Sequence, residues 1–264
     1  MTGTPTTDDH ALAARLAGDA GRVLTGLRAD LGFADPGHLR ASGDRRAHEF
    51  LVAALGRERP GDAVLSEEGA ADPRRLDADR VWIVDPLDGS REYAEPGRTD
   101  WAVHVALWER GALVAGAVAV PARDLVLTTA DPPRPRPDRA TSSRLRLAVS
   151  RTRPPELTTR LAEALGARVV PMGSAGVKIA AVLLGEADAY VHAGGQHEWD
   201  SAAPVAVAVA AGCHASRTDG SPLVYNRAGA WLPDLVVCRP GHRSRLLAAI
   251  HATTHPTPSE KRTP

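Results

Sequence analysis

Residues 81–90 read VWIVDPLDGS: an apolar run, Val81 to Val84, enters a turn that carries Asp85 and Asp88 on either side of Pro86. The run has the character of a buried strand, and Asp-Pro-x-Asp-Gly is a good turn sequence on conformational grounds alone. The turn reading leaves one thing over. Asp85 follows directly on the apolar run, where a carboxylate needs a partner, and no Lys or Arg lies within the stretch. Carboxylates gathered without basic partners are what hard divalent cations require, often with a backbone carbonyl added. Two such ions can share a bridging carboxylate and clamp a phosphoryl group. Gly89 permits close backbone approach, and the amides of Gly89 and Ser90 can receive phosphate oxygens.

Working outward, helical spacing predicts helices over 11–27 and 45–55, the second starting just after Asp44. DAVLSEE reads as a short strand ending in a polar turn at Glu67–Glu68, followed by the strand VWIVD. Residues 101–130 read as three strands joined by hairpin turns at ERGA and PARD. The proline-rich stretch 131–140 is the clearest composition break. After it strands and helices alternate: LRLAVS, PELTTRLAEAL, ARVVPM, AGVKIAAVLLG, ADAYVH, SAAPVAVAVAAG, HAS, DLVVC and HRSRLLAAI. This order predicts a layered α/β arrangement of two lobes. One lobe is an N-terminal α+β unit over 9–135 with an antiparallel sheet, the other a C-terminal α/β unit over 140–252. Disordered tails are expected at 1–8 and 253–264.

At 264 residues with 43% hydrophobic and 24% charged residues the chain suits a soluble globular protein with a sizeable core. Zero formal net charge gives no global field toward nucleic acid or an anionic membrane, so neither is expected as a partner. No signal peptide or membrane-spanning stretch is read, and a cytoplasmic location is expected. Cys213 and Cys238, both apolar-flanked, read as buried thiols rather than a disulfide.

Four acidic groups lie at predicted element ends: Asp44, Glu67–Glu68, Asp85 with Asp88, and Asp200. Taken singly, Asp44 and Asp200 read as helix N-caps and the Glu pair as solvated surface. Taken together, SEE, then DPLDGS with Tyr93, then EWDSAAP resemble the inositol monophosphatase-like superfamily of magnesium-dependent, lithium-sensitive phosphatases. Order and spacing agree from Asp44 onward. The resemblance implies an α-β-α-β-α layered sandwich and two or three Mg2+ ions. The ligands it implies are Glu67, Asp85, the Leu87 carbonyl, Asp88 and Asp200, with Asp85 bridging. It also implies that Ser90 and Asp44 position and deprotonate the attacking water, with Glu67 assisting, in an in-line attack without a phosphoenzyme.

DPLDGSREY and EWD are similar to the 3'(2'),5'-bisphosphate nucleotidase branch, particularly its actinobacterial type, which implies a phosphorylated small-molecule substrate. The substrate expected is 3'-phosphoadenosine 5'-phosphate, with its sulfated form as a second, in the context of sulfate assimilation. The alternatives are inositol 1-phosphate or fructose 1,6-bisphosphate on the same fold, or a metal-binding or regulatory protein without turnover. Within this resemblance Ser174 and Lys178 of GSAGVK, together with Gly89, Ser90, Arg91 and His197, are expected at the substrate. Arg91 and Arg98 flank the acidic turn and are candidates for a second phosphate, with exposed surface arginines the alternative. His192 and Cys213–His214 do not form a recognised zinc set, and Trp82, Trp101 and Trp108 read as core. A homodimer is compatible with the sequence, which carries no argument for it.

Overall fold

A computed structural model describes residues 9–70, 72–134 and 144–255. The expected tail at 1–8, residues 256–264 of the tail expected at 253–264, and residues 135–140 of the proline-rich stretch lie outside the described residues.

Two long helices come first, α1 (Asp9–Leu31) and α2 (Pro36–Glu58). The second starts well before the expected Arg45. Asp35 caps it by accepting the His38 N–H at 2.9 Å, and Pro36 occupies its first turn, where a missing N–H does no harm. Asp44 is therefore no cap but an interior residue of α2. The apparent break at Ser42–Gly43 has a packing cause: a Cβ on Gly43 would come within 2.8 Å of the Tyr93 ring and 2.9 Å of Leu87. The glycine lets the helix press against the acidic turn.

Strands β1 (Ala63–Ser66) and β2 (Arg80–Asp88), the short helix α3 (Ser90–Tyr93), and strands β3 (Ala102–Glu109), β4 (Ala112–Val120) and β5 (Leu125–Thr128) follow. The strands form one sheet in sequence order. It is mixed, not antiparallel as expected, because β1 and β2 run parallel. The connection over residues 67–79, with its 3-10 turn Pro73–Asp77, is long enough for the crossover a parallel pair needs.

The second half supplies β6 (Arg146–Ser150), α4 (Glu156–Leu165), β7 (Arg168–Met172), α5 (Ala175–Leu183), β8 (Ala189–His197), α6 (Ala202–Ala210), β9 (His214–Ser216), β10 (Trp231–Cys238) and α7 (Arg243–Thr254). Its sheet runs β7-β6-β8-β10-β9, with β6 parallel to both neighbours and β10 antiparallel to both of its own. Helix α7 continues past the expected limit at 252, its last turn closed by Thr253 and Thr254 hydroxyls donating to the Ala249 and Ile250 carbonyls.

Strand periodicity explains the layering. Trp82 and Val84 of β2 point to α1 and α2, while Val81 and Ile83 point to the opposite cluster around α5 and α6. Those two helices are apolar almost all round, the pattern of helices buried on both sides. Tyr190, Leu235 and Val237 meet them from the second sheet, whose other face packs Leu147, Val191 and Val236 against Leu161, Leu246 and Ile250 of α4 and α7. The order is α-β-α-β-α. Cys213 and Cys238 are buried, as are Trp82 and Trp101, with Trp108 partly so. Among the described residues no helix is long and apolar enough to cross a membrane.

Candidate metal centre and its cavities

Strand β2 does not stop at Asp85. It runs through Pro86 to Asp88, and its pairing with β3 slips there: Asp85 faces His104 and Asp88 faces Ala102. Three steps on β2 thus span two on β3, an inserted residue at the one place where proline offers no ladder donor. In a regular strand, residues three apart point to opposite faces. The bulge removes that alternation, and Asp85, Asp88 and His104 each present a ligand atom within 4.8 Å of the others.

Asp85 is 1% exposed and Asp88 is 9% exposed. Asp85 Oδ1 accepts the Leu87 N–H at 3.0 Å, which closes the turn. Asp88 Oδ2 accepts from the Gly176 N–H at 2.7 Å and from the Ser174 hydroxyl at 2.5 Å, so the first turn of α5 holds this carboxylate. Gly89 has φ 86°, the left-handed region, and a Cβ there would meet the Asp100 carbonyl and Ser174 Cβ at 3.2 Å. Only glycine satisfies both demands.

Three more carboxylates converge. Glu67 follows β1, anchored through Ser66, whose hydroxyl bonds His48 of α2 at 2.8 Å. Asp200 lies just ahead of α6, its Oδ2 accepting the His197 N–H at 2.7 Å. Asp44 comes from the interior of α2, which packs on α3. Burial, reinforced by Glu67, Asp88 and Asp200, pushes the Asp85 carboxyl well above its ordinary range. Burial with Asp88 and Glu68 nearby pushes Glu67 up to about 7. Asp200 is pushed up to about 7 by burial and Asp88, and Asp44 to about 7 by burial with Glu68 and Glu67. These groups repel one another, and Arg40 near Asp44 and the buried Lys178 near Asp200 offset that repulsion in part without cancelling it. Oxygen donors in that state fit a hard divalent ion, which would relieve repulsion and desolvation together.

A cavity of about 300 Å3 opens over the cluster, walled by Glu67, Asp85, Leu87, Asp88, Asp200, the Gly89–Ser90 step and Arg91 among others. The residues expected at the chemistry from 67, 85, 87, 88, 90 and 200 are therefore brought together. Others sit differently. Ser174 caps α5 and holds Asp88 while lining the cavity. Lys178 is buried and donates its ammonium to the Gly173 and Ser174 carbonyls, 2.9 Å for the latter. His197 fronts a second, adjoining cavity and stacks on Trp199 with ring centroids 4.4 Å apart. Arg98 is committed to Asp100, whose Oδ2 also accepts the Gly173 N–H, so Arg98 serves the loop rather than a phosphate.

The sequence reading missed His104. It is fully buried; its Nδ1 lies 3.1 Å from the Trp199 carbonyl and its Nε2 3.3 Å from Asp88 Oδ2. Burial holds the imidazole below its ordinary pKa. The only signal was a histidine inside the apolar strand WAVHVALW, which reads as core. Glu198 of EWD is structural: its carboxylate accepts the Asn226 and Arg227 N–H groups at 2.7 and 2.8 Å.

The layered fold and the acidic cluster at the end of β2 define a protein built around a candidate metal centre between two sheets. Residues 35–255 match the inositol monophosphatase family, and the chain belongs to it. The 3'-phosphoadenosine 5'-phosphate phosphatase of Mycobacterium bovis is 51% identical over 245 residues, 88% of this chain and 89% of that protein. The 3'(2'),5'-bisphosphate nucleotidase CysQ of Escherichia coli is 30% identical over 204 residues, 72% of this chain and 80% of that protein. The crystal structure of CysQ from Bacteroides thetaiotaomicron, a bacterial member of the same family, superposes with a TM-score of 0.77 at 27% identity, covering 89% of this chain and 99% of that one.

Proposed function

We propose that the protein is a magnesium-dependent phosphomonoesterase that hydrolyses 3'-phosphoadenosine 5'-phosphate to AMP and phosphate, and accepts the sulfated form as well. The observation that carries this reading is the convergence of the mutually repelling Glu67, Asp85, Asp88 and Asp200 on a cavity that also presents the Gly89–Ser90 backbone. Likeness to the mycobacterial phosphatase supports the choice of substrate.

In this reading Glu67, Asp85, the Leu87 carbonyl, Asp88 and Asp200 hold two or three Mg2+ ions, Asp85 lying deepest. Bound magnesium supplies the positive charge that acidifies a water and offsets charge on the departing alkoxide. The chain does the rest. Amides of Gly89 and Ser90 receive phosphate oxygens, and Arg91 adds a cation at the cavity wall. Ser90 and Asp44 orient the attacking water and take its proton, with Glu67 assisting. Ser174 fixes Asp88, and the His197 N–H fixes Asp200. Lys178 places a positive charge behind the α5 turn.

The test is kcat/KM for 3'-phosphoadenosine 5'-phosphate, inositol 1-phosphate and fructose 1,6-bisphosphate with Mg2+. The nucleotide is expected to be the best of the three. Preference for either of the others would overturn the substrate assignment, and no release from any would favour a protein without turnover.

A further inference from the structure

Arg75 lies in the connection between β1 and β2, the same connection that carries Glu67, and it is only 2% exposed. Its guanidinium reaches the other half of the chain, a loop between β9 and β10. It donates to Asn226 Oδ1 at 2.5 Å and to the Arg227 and Ala228 carbonyls at 2.7 and 3.3 Å. Asn226 Nδ2 donates back to the Arg75 carbonyl at 3.1 Å. A lysine could not span these acceptors, because only the planar fork reaches several at once.

The same loop grips the segment around Asp200 twice. The fully buried Glu198 carboxylate accepts the Asn226 and Arg227 N–H groups, one on each oxygen, and Ser201 Oγ lies 3.2 Å from the Tyr225 hydroxyl. Asn226 turns two successive amides onto one carboxylate because its φ is 60°, the left-handed region that Asn tolerates better than most residues. The Glu198 carbonyl in turn accepts the Ser201 and Ala202 N–H groups, which closes the turn that presents Asp200. A continuous buried path of hydrogen bonds thus joins the connection bearing Glu67 to the turn bearing Asp200. Those two carboxylates wall one cavity and repel each other, whereas Arg75 and Asn226 do not line it.

We propose that Arg75, Asn226 and Glu198 form a clamp that holds the Asp200 turn against the connection bearing Glu67 and so preorganises the acidic cluster for a divalent cation. All three are positioning residues. The clamp rests on the metal-dependent reading of the cluster given above. Repelling carboxylates relax apart when nothing restrains them, and an ion must then draw them together as it binds. Groups held in place beforehand remove that penalty. Loss of the clamp therefore weakens ion binding and spares the chemical step once the ions are in place.

The experiment titrates the full chain with Mg2+ by calorimetry, records Tm in EDTA, and follows phosphate release from 3'-phosphoadenosine 5'-phosphate against Mg2+. The variants are Arg75→Met, Asn226→Gly and the two combined. Glycine at 226 keeps the left-handed backbone, and with it the amides on Glu198, while removing the carboxamide that bonds Arg75; it carries the test if Arg75→Met does not fold. Arg75→Met should weaken Mg2+ binding about tenfold or more and move the Mg2+ midpoint of activity by the same factor. Asn226→Gly should do so severalfold, and the double variant should be no worse than Arg75→Met, since both cut one link. At saturating Mg2+, kcat and KM for the nucleotide should return near wild type. A lower Tm with unchanged Mg2+ affinity would make the clamp a stabiliser of the fold only and overturn the proposal, as would a kcat that saturating Mg2+ does not restore. A wild-type protein that binds no Mg2+ would overturn the proposed function and the clamp together. Wild-type binding and turnover combined with indifferent variants would sink the clamp alone.

Discussion

His104 Nε2 lies 3.3 Å from Asp88 Oδ2, while the other nitrogen of the same ring lies 3.1 Å from the Trp199 carbonyl. One buried imidazole therefore spans two chain segments that carry candidate ligands, the β2 turn and the loop that presents Asp200. Side chains behind a metal ligand fix its orientation, and removing them typically lowers metal affinity or activity by about 10–100-fold. His104→Phe, close in shape but without nitrogens, should raise the Mg2+ concentration for half-maximal activity by that order. A titration of rate against Mg2+ checks this; an unchanged midpoint and kcat would make His104 a packing residue only.

The space His104 occupies exists because residue 176 is glycine. A Cβ there would sit 2.0 Å from His104 Nε2 and within 2.8 Å of its Cε1. Gly176→Ala should displace the ring or shift α5, whose Gly176 N–H holds Asp88. We expect a lower Tm, by an amount matching overpacking losses of about 1–3 kcal/mol, together with most activity lost. Thermal unfolding and phosphate release measured on the same sample check it, and wild-type values for both would contradict the packing.

Asp44 is an acid in the middle of a helix, half-buried beside Glu67 and Glu68 and pushed up to about 7. Neither helix propensity nor packing favours it there. Asp44→Asn should lower kcat by about 10²-fold or more while leaving Tm equal or higher near neutral pH. A variant that loses stability and keeps its rate would assign Asp44 a structural role.

The raised carboxyls fix the direction of a pH effect. Asp44, Glu67 and Asp200 sit at about 7 in the fold, above their ordinary values of 3.8 or 4.5. The unfolded chain loses these protons first, so the stability linked to them is complete at low pH and is lost as pH rises through about 7. Without metal, Tm should fall between about pH 5 and pH 8. Mg2+ should restore it most at the upper end, releasing protons on binding. Asp200→Asn should flatten the slope. Differential scanning fluorimetry with EDTA or Mg2+ reads all three, and a metal-free Tm that climbs steadily through neutral pH would contradict the cluster's electrostatics.

What could be read from the sequence divides along physical lines. The hairpins of β3 to β5 and the strand–helix alternation after 144 were legible because strand and helix periods and turn residues are local signals. The acidic motifs were legible because carboxylates at element ends without cations are unusual. The true start of α2 was not, since Ser42–Gly43–Asp44 resembles a cap, and only the packing of Gly43 on Tyr93 shows why a helix runs through it. Nor was the bulge between Asp85 and Asp88, which depends on pairing with a distant strand. His104 takes its role from Asp88 and Trp199, neighbours far away in the chain. No local pattern marks such residues.

The most direct test of the central claim, that the acidic cluster at the end of β2 is the catalytic metal centre, is phosphate release from 3'-phosphoadenosine 5'-phosphate by wild type, Asp88→Asn and Asp200→Asn. It should be run with EDTA and then across a Mg2+ titration, with circular dichroism confirming each fold. The account predicts release by wild type only when Mg2+ is present, and a loss of about 10³-fold or more in each folded variant. Substantial turnover in EDTA, or wild-type rates in either variant, would contradict it.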